Sequence, residues 1–186
     1  MDQESIVHCD EIGTITHPGG ATEEFRTSTS SSIPSNVHSL GFECELTNYT
    51  KDVLVVIGFT ISGLTGKAPY NDSNTLGLLL CNNDPRTVQY GKMAKLENID
   101  QFKNGDIIGV LLKRVVIAGK KYSVFELCLN GIKIGHPLLS DTLIETAYPT
   151  IWMDEPGFII NANLGSKPFQ YDTFLGTFEC SYKYTA

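Results

Sequence analysis

No apolar run in this 186-residue chain approaches the roughly 20 residues that a membrane-spanning helix needs. The first residues, Met1-Asp2-Gln3-Glu4-Ser5-Ile6-Val7, have neither the basic start nor the apolar middle of a signal peptide. A cytoplasmic protein is the expectation, with secretion from a longer precursor as the other route. Charge is scarce: 19% of residues are Asp, Glu, Lys or Arg, too few for a disordered chain or a long solvated helix. Positive charge is scarcer still, 14 Lys and Arg against 21 Asp and Glu, a net charge of −7. Nucleic acid and anionic membrane are therefore not expected as partners, because both repel such a chain on average. The five cysteines, Cys9, Cys44, Cys81, Cys128 and Cys180, form no CxxC pair, which disfavours a zinc ribbon or a thioredoxin-type site. Cys44 and Cys128 sit in apolar runs with no activating cation and read as buried structural thiols. His8, His17, His38 and His136 show no HxH or HExxH spacing, so no metal is expected. GxSxG is absent, and Gly63-Leu64-Thr65-Gly66 lacks the GK[ST] ending of a phosphate loop. No cofactor is implied.

What the chain does have is turns and short apolar strands. Hydrophobic residues make up 41%, aromatics 10%, and there are 17 glycines. A compact single domain of this length buries about 70% of its unfolded surface and needs no staple. Thr27-Ser28-Thr29-Ser30-Ser31-Ser32, closed by Pro34, reads as a surface loop, with short strands possible at 5–7 and 14–16. From Leu40 onward, Leu40, Phe42, Cys44 and Leu46 alternate with Gly41, Glu43 and Glu45, the period of a strand with one wet face. Residues 53–61 are apolar without a break and β-branched, which predicts a central strand covered on both sides. Leu76–Cys81 is a further short run, followed by turn residues from Asn82 to Arg86. Lys92 to Phe102 is the one stretch with helical spacing, through Met93, Leu96 and Ile99. It is too short to hold as an isolated helix and is expected to be a loop or single turn.

The strongest hairpin signal is Asn130-Gly131, a pair that accepts the two positive φ values of a type I′ turn. It pairs Leu129 with Ile132 and puts Phe125, Leu127, Leu129, Ile132 and Ile134 on one face. Glu126 and Lys133 lie on the other, where they weakly balance each other. Strands follow at 148–153 and 158–164, then a polar-aromatic tail. Many short strands with regular turn signals and almost no helix predict an all-β, antiparallel two-sheet sandwich.

Paired carboxylates are the enzymatic option on such a scaffold. Glu43 with Glu45 reads better as a solvated strand face, given the strict alternation, and Asp154-Glu155-Pro156-Gly157 as a turn. A binding module is favoured over an enzyme.

With these runs in order, the chain resembles the SPRY domain family over about residues 38–172. Leu40-Gly41-Phe42-Glu43-Cys44-Glu45-Leu46 is similar to the family's YYFEVEI strand, and Val56-Ile57-Gly58-Phe59-Thr60 to its IGIGLS segment. Phe102-Lys103-Asn104-Gly105-Asp106-Ile107-Ile108-Gly109 resembles F..GDVIG, and Leu129 to Gly135 resembles NG..LG. Ala147-Tyr148-Pro149-Thr150-Ile151-Trp152, then Pro156-Gly157, Asn161-Ala162-Asn163-Leu164-Gly165 and Pro168-Phe169 look like LYPTVGL..PG…ANFG..PF of the Ran-binding-protein-M-like subgroup. That subgroup includes stand-alone secreted SPRY proteins of nematodes. The family's SYGYHGDDG region is replaced here by Thr75 to Asp84 without its aromatics. An insert near 66–74 and the charged turn at 115–121 are departures as well.

The resemblance implies a bent, two-sheet, SPRY-type β-sandwich with little or no helix at 38–172. It would be preceded by an N-terminal extension at 1–37, partly packed on the domain, and followed by a tail or last strand at 173–186. It implies a non-enzymatic protein–protein interaction module, monomeric as an isolated domain. Such a module takes a short segment of a protein or peptide partner through loops at one end, in an adaptor or substrate-recognition role. By loop position the partner-binding residues would be Pro34, Asn36, His38, Tyr70, Asn71, Asp84, Arg86, Tyr90, Asp154, Glu155 and Pro156. Tyr70, Tyr90 and Arg86 are of the residue types that anchor interfaces. The alternative is a lectin-like sandwich that binds glycan, suggested by Trp152 and the Asn- and Asp-rich loops.

Overall fold

The computed structural model describes residues 14–16, 25–28, 39–50, 52–61, 69–81, 84–97, 99, 101–140, 144, 147–154, 158–164 and 168–171. They form twelve strands: β1 Thr14–Thr16, β2 Phe25–Ser28, β3 Ser39–Leu46, β4 Val55–Thr60, β5 Thr75–Leu80, β6 Arg86–Gln89, β7 Lys92–Lys95, β8 Ile107–Ile117, β9 Lys120–Leu129, β10 Ile132–Ser140, β11 Tyr148–Met153 and β12 Ile159–Asn163. One 3-10 turn, Pro69–Asn71, is the sole helical element among the described residues. All strand pairs are antiparallel and build two six-stranded sheets, ordered β1-β12-β3-β8-β9-β10 and β2-β11-β4-β5-β6-β7. The all-β two-sheet sandwich expected from the alternation is the observed fold.

The core lies between the sheets. From the first sheet come Phe42, Cys44, Leu46, Ile108, Val110, Phe125 and Ile160; Val55, Ile57, Phe59, Leu76, Leu78 and Ile151 come from the second. Phe59 meets Phe42 at 5.4 Å and Phe125 at 6.3 Å between ring centroids, both edge-on, so three aromatics tie the layers together. Every residue of β4 and β5 is buried, as a central strand covered on both sides requires. Cys44 and Cys128 are buried free thiols. Burial pushes both thiol pKa values up, that of Cys128 to about 12, so neither carries thiolate at neutral pH.

Four readings need correction. Thr27 and Ser28 end β2, paired with Thr150 and Ile151, and are not loop. Lys92–Lys95 is strand β7, paired with β6 through the two-residue turn Tyr90-Gly91. Tyr90 (φ 53°) and Gly91 (φ 76°) both take the left-handed conformation, as do Asn130 (51°) and Gly131 (80°), so Tyr-Gly supports the same turn type as the Asn-Gly that the sequence announces.

The third correction concerns Glu43, which is not on a wet face. It is 6% exposed, and its carboxylate accepts the backbone N–H groups of Gln170 at 2.8 Å and Tyr171 at 3.2 Å. The chain beyond β12 thus crosses the outer face of the first sheet and covers this carboxylate. The Tyr171 ring packs on Gly131, where a Cβ would lie 2.7 Å from the ring. Glu45 does stay exposed and accepts from Asn161 Nδ2. Fourth, Glu126 is buried and held by two cations, Lys113 at 2.6 Å and Lys133 at 2.9 Å, rather than weakly balanced by one.

Candidate functional site: a recess on the outer face of the second sheet

On the second sheet several outward residues are apolar and buried. Val56, Leu79, Val88 and Trp152 form a small cluster of their own, separate from the main core. Tyr70, on the 3-10 turn, stacks edge-on against Trp152 with 5.5 Å between ring centroids. Asp72 fixes the chain just after it by accepting the Asn74 N–H at 2.9 Å. Beside Tyr70 lies a shallow recess of about 330 Å³ lined by Leu54, Leu79, Cys81, Asp84, Arg86 and Met93. Its floor is aliphatic and thioether or thiol; its rim holds one ion pair.

That pair is well made. Arg86 donates from Nε at 2.9 Å and Nη2 at 2.5 Å to a single oxygen of Asp84, and Lys95 Nζ lies 3.3 Å from the other oxygen. The Arg86 hydrogen bonds, helped by Lys95, hold the Asp84 carboxyl below the usual carboxylate range. Arg86 keeps 43% of its side chain in solvent, and its guanidinium carries three N–H donors beyond the two that hold Asp84.

The recess gathers Tyr70, Asp84 and Arg86 from the residues that loop position suggested. Asp154 borders it indirectly: its carboxylate accepts the Leu54 N–H at 2.9 Å and its own N–H donates to the Leu54 carbonyl at 3.2 Å. That clamp sets the position of one wall. Asn71 is exposed on the turn next to Tyr70. Tyr90 does not join them. Its ring packs on the main core and its hydroxyl donates to Ser140 Oγ at 2.7 Å, a bond between the two sheets. Pro34, Asn36, His38, Glu155 and Pro156 lie outside the described residues.

Leu54, Leu79, Cys81 and Met93 were missed. The first three sit in or beside runs that read as core on both sides, and Met93 in the stretch that read as helical. Nothing in the β5 sequence Thr75-Leu76-Gly77-Leu78-Leu79-Leu80 sets Leu79 apart from its core-facing neighbours. Trp152 is only 2% exposed, beneath Tyr70, so it has no ring face to offer a sugar.

No family model matches this chain, and no curated protein matches it. Solved structures do. A human SPRY domain superposes with a TM-score of 0.65 at 12% identity, over 87% of this chain and 97% of that one. The SPRY domain of human HERC1 gives 0.60 at 14% identity, over 87% and 94%. The TRIM65 PSpry domain gives 0.57 at 9% identity, over 84% and 85%. At these identities the likeness speaks to the fold, and the fold is that of a SPRY sandwich.

Proposed function

We propose that the chain is a non-enzymatic protein-interaction module that takes a short segment of a partner protein in the Tyr70–Arg86 recess. The observation that carries this reading is the recess itself, an aliphatic floor beside a partly solvated guanidinium. Apolar side chains of a partner would fill the floor while Arg86 bonds a carbonyl or carboxylate at the rim, the combination found at interface anchors. The SPRY fold of the neighbouring structures supports the same class of role, and the blocks at 147–152 and 161–165 resemble those of the Ran-binding-protein-M-like subgroup. Catalysis is not part of the reading: Asp84, the acid of the recess, is committed to two cations, and the thiols of Cys44 and Cys128 are buried and protonated.

The test is a selection of random dodecapeptides displayed on phage against the full chain, followed by binding to variants. Arg86→Ala and Met93→Asp should each weaken the selected peptides about tenfold or more. Both side chains are solvent-accessible, so the melting temperature should hardly move. Selected peptides that all bind both variants as tightly as wild type would remove the recess as the site.

A further inference from the structure

The second sheet ends at β7 and the first at β10, and these two edge strands lie side by side. At one end the β6–β7 hairpin is tied to β10. Gln89 Nε2 donates to the Leu139 carbonyl at 3.1 Å, and the Tyr90 hydroxyl donates to Ser140 at 2.7 Å. Toward Lys95 and Ile132 they diverge and leave a wedge-shaped groove of about 580 Å³. Its floor is apolar: Leu96, Ile99, Ile134 and Leu138 line it. Gly135 shapes its middle, because its backbone (φ 64°) approaches Leu96 so closely that a Cβ would lie 2.4 Å from the leucine methyl.

The lips are different in kind. Ile132 is 72% exposed at the open end, an aliphatic side chain with nothing over it. Lys95 stands on the β7 lip and Lys133 on the β10 lip. Lys95 keeps 71% of its side chain in solvent despite Asp84, and Lys133 keeps 58% despite Glu126. Glu97 is the one carboxylate lining the groove. In a chain of net charge −7, cations on both lips of an apolar groove are a local reversal of sign.

We propose that this wedge is a second docking surface, distinct from the Tyr70–Arg86 recess, and that its occupant is an acidic, apolar segment of a partner protein. Apolar side chains would enter the floor while carboxylates meet the lysines of the lips. The segment lies in the groove rather than extending either sheet. The β10 register is broken by a bulge between Ile134 and Leu138 that contains Pro137, which has no N–H to give, and β7 is four residues long with a lysine at each end. Both are devices that blunt an edge against strand addition.

The same dodecapeptide selection separates the two surfaces. It should yield a class rich in Asp or Glu with Leu, Ile or Phe. By fluorescence anisotropy this class should lose about tenfold in affinity on Ile132→Asp and a smaller factor on Lys133→Gln, with no change on Arg86→Ala. Its affinity should fall as salt rises. Lys133→Gln keeps a donor beside Glu126, which retains Lys113, and Ile132 is exposed, so both variants should melt like wild type. The proposal is overturned if no selected peptide depends on Ile132, or if those that do carry no carboxylate. It also falls if sedimentation shows a dimer that Ile132→Asp dissolves, since the occupant is then a second copy of this chain.

Discussion

The two outer faces of the sandwich bury residues that simple alternation assigns to solvent, and they do so by opposite means. On the first sheet the buried outward groups include two carboxylates, Glu43 and Glu126. Glu43 is satisfied by two backbone N–H groups delivered from 127 and 128 residues further along the chain, and Glu126 by two lysines. On the second sheet the buried outward groups are Val56, Leu79, Val88 and Trp152, covered in part by Tyr70. A buried carboxylate accepts only a cover that brings donors to its oxygens, so the first face is closed by one specific stretch of its own chain. An apolar face makes no such demand, because dispersion and the hydrophobic effect are indifferent to direction. Part of it can therefore be left as a recess for another molecule.

If that contrast is right, the second face should depend on volume and the first on donors. The largest effect is expected from Trp152→Ala, which empties the centre of the apolar cluster and should destabilise the fold by about 3–5 kcal/mol in urea or thermal unfolding. Trp152→Phe should cost much less, because the indole N–H has no acceptor among the described residues and its loss strands nothing there. Equal losses from Phe and Ala would mean that a hidden polar contact, rather than volume, holds that face. Next in size is Glu43→Ala, which strips the charged acceptor from two part-buried backbone N–H groups and should cost about 1–3 kcal/mol. For a chain this long that is a fall in melting temperature of about 2–4 °C per kcal/mol. It should also speed proteolysis after Tyr171, whereas Glu43→Gln, which keeps one acceptor, should fall between. A Glu43→Ala protein as resistant as wild type would show that the covering segment holds without the carboxylate.

The same contrast explains what the sequence could tell. Period-two alternation in β3 and β12, the unbroken run of β4 and the Asn130-Gly131 turn are local signals, and each became the expected element. The β6–β7 hairpin had no such signal. All four residues of β7 are exposed, so Lys92-Met93-Ala94-Lys95 carries no buried stripe, and the spacing of Met93, Leu96 and Ile99 imitated a helix by chance. Glu43 was unreadable for another reason, since its cover comes from the far end of the fold and alternation knows only the strand itself. In the recess, Tyr70, Asp84 and Arg86 were legible because they lie in or at the end of turn-rich loops. Leu54 and Leu79 were not, because an apolar residue facing outward is indistinguishable in sequence from one facing the core. Tyr90 looked like a loop anchor for the same want of distance information, and its partner Ser140 is 50 residues away.

The smallest expected effect separates the faces by their response to acid. Burial works to raise the Glu126 pKa, but hydrogen bonds and charge from Lys113 and Lys133 outweigh it and leave the pKa below its ordinary value of 4.5. A carboxylate with a depressed folded pKa adds stability that is complete above the unfolded value. That stability is lost as pH falls below about 4.5 and through the lower folded pKa, where the unfolded chain binds the proton more readily. Glu126→Gln should therefore flatten the decline of melting temperature in that window relative to wild type. Asp84 on the second face is depressed as well, through Arg86, but it is more exposed and its pairs are screened, so Asp84→Asn should flatten the decline less. Acid melting curves of the two variants decide the matter. An Asp84→Asn curve flatter than that of Glu126→Gln would reverse the assignment, making the open face, and not the closed one, the place where charge holds this sandwich together.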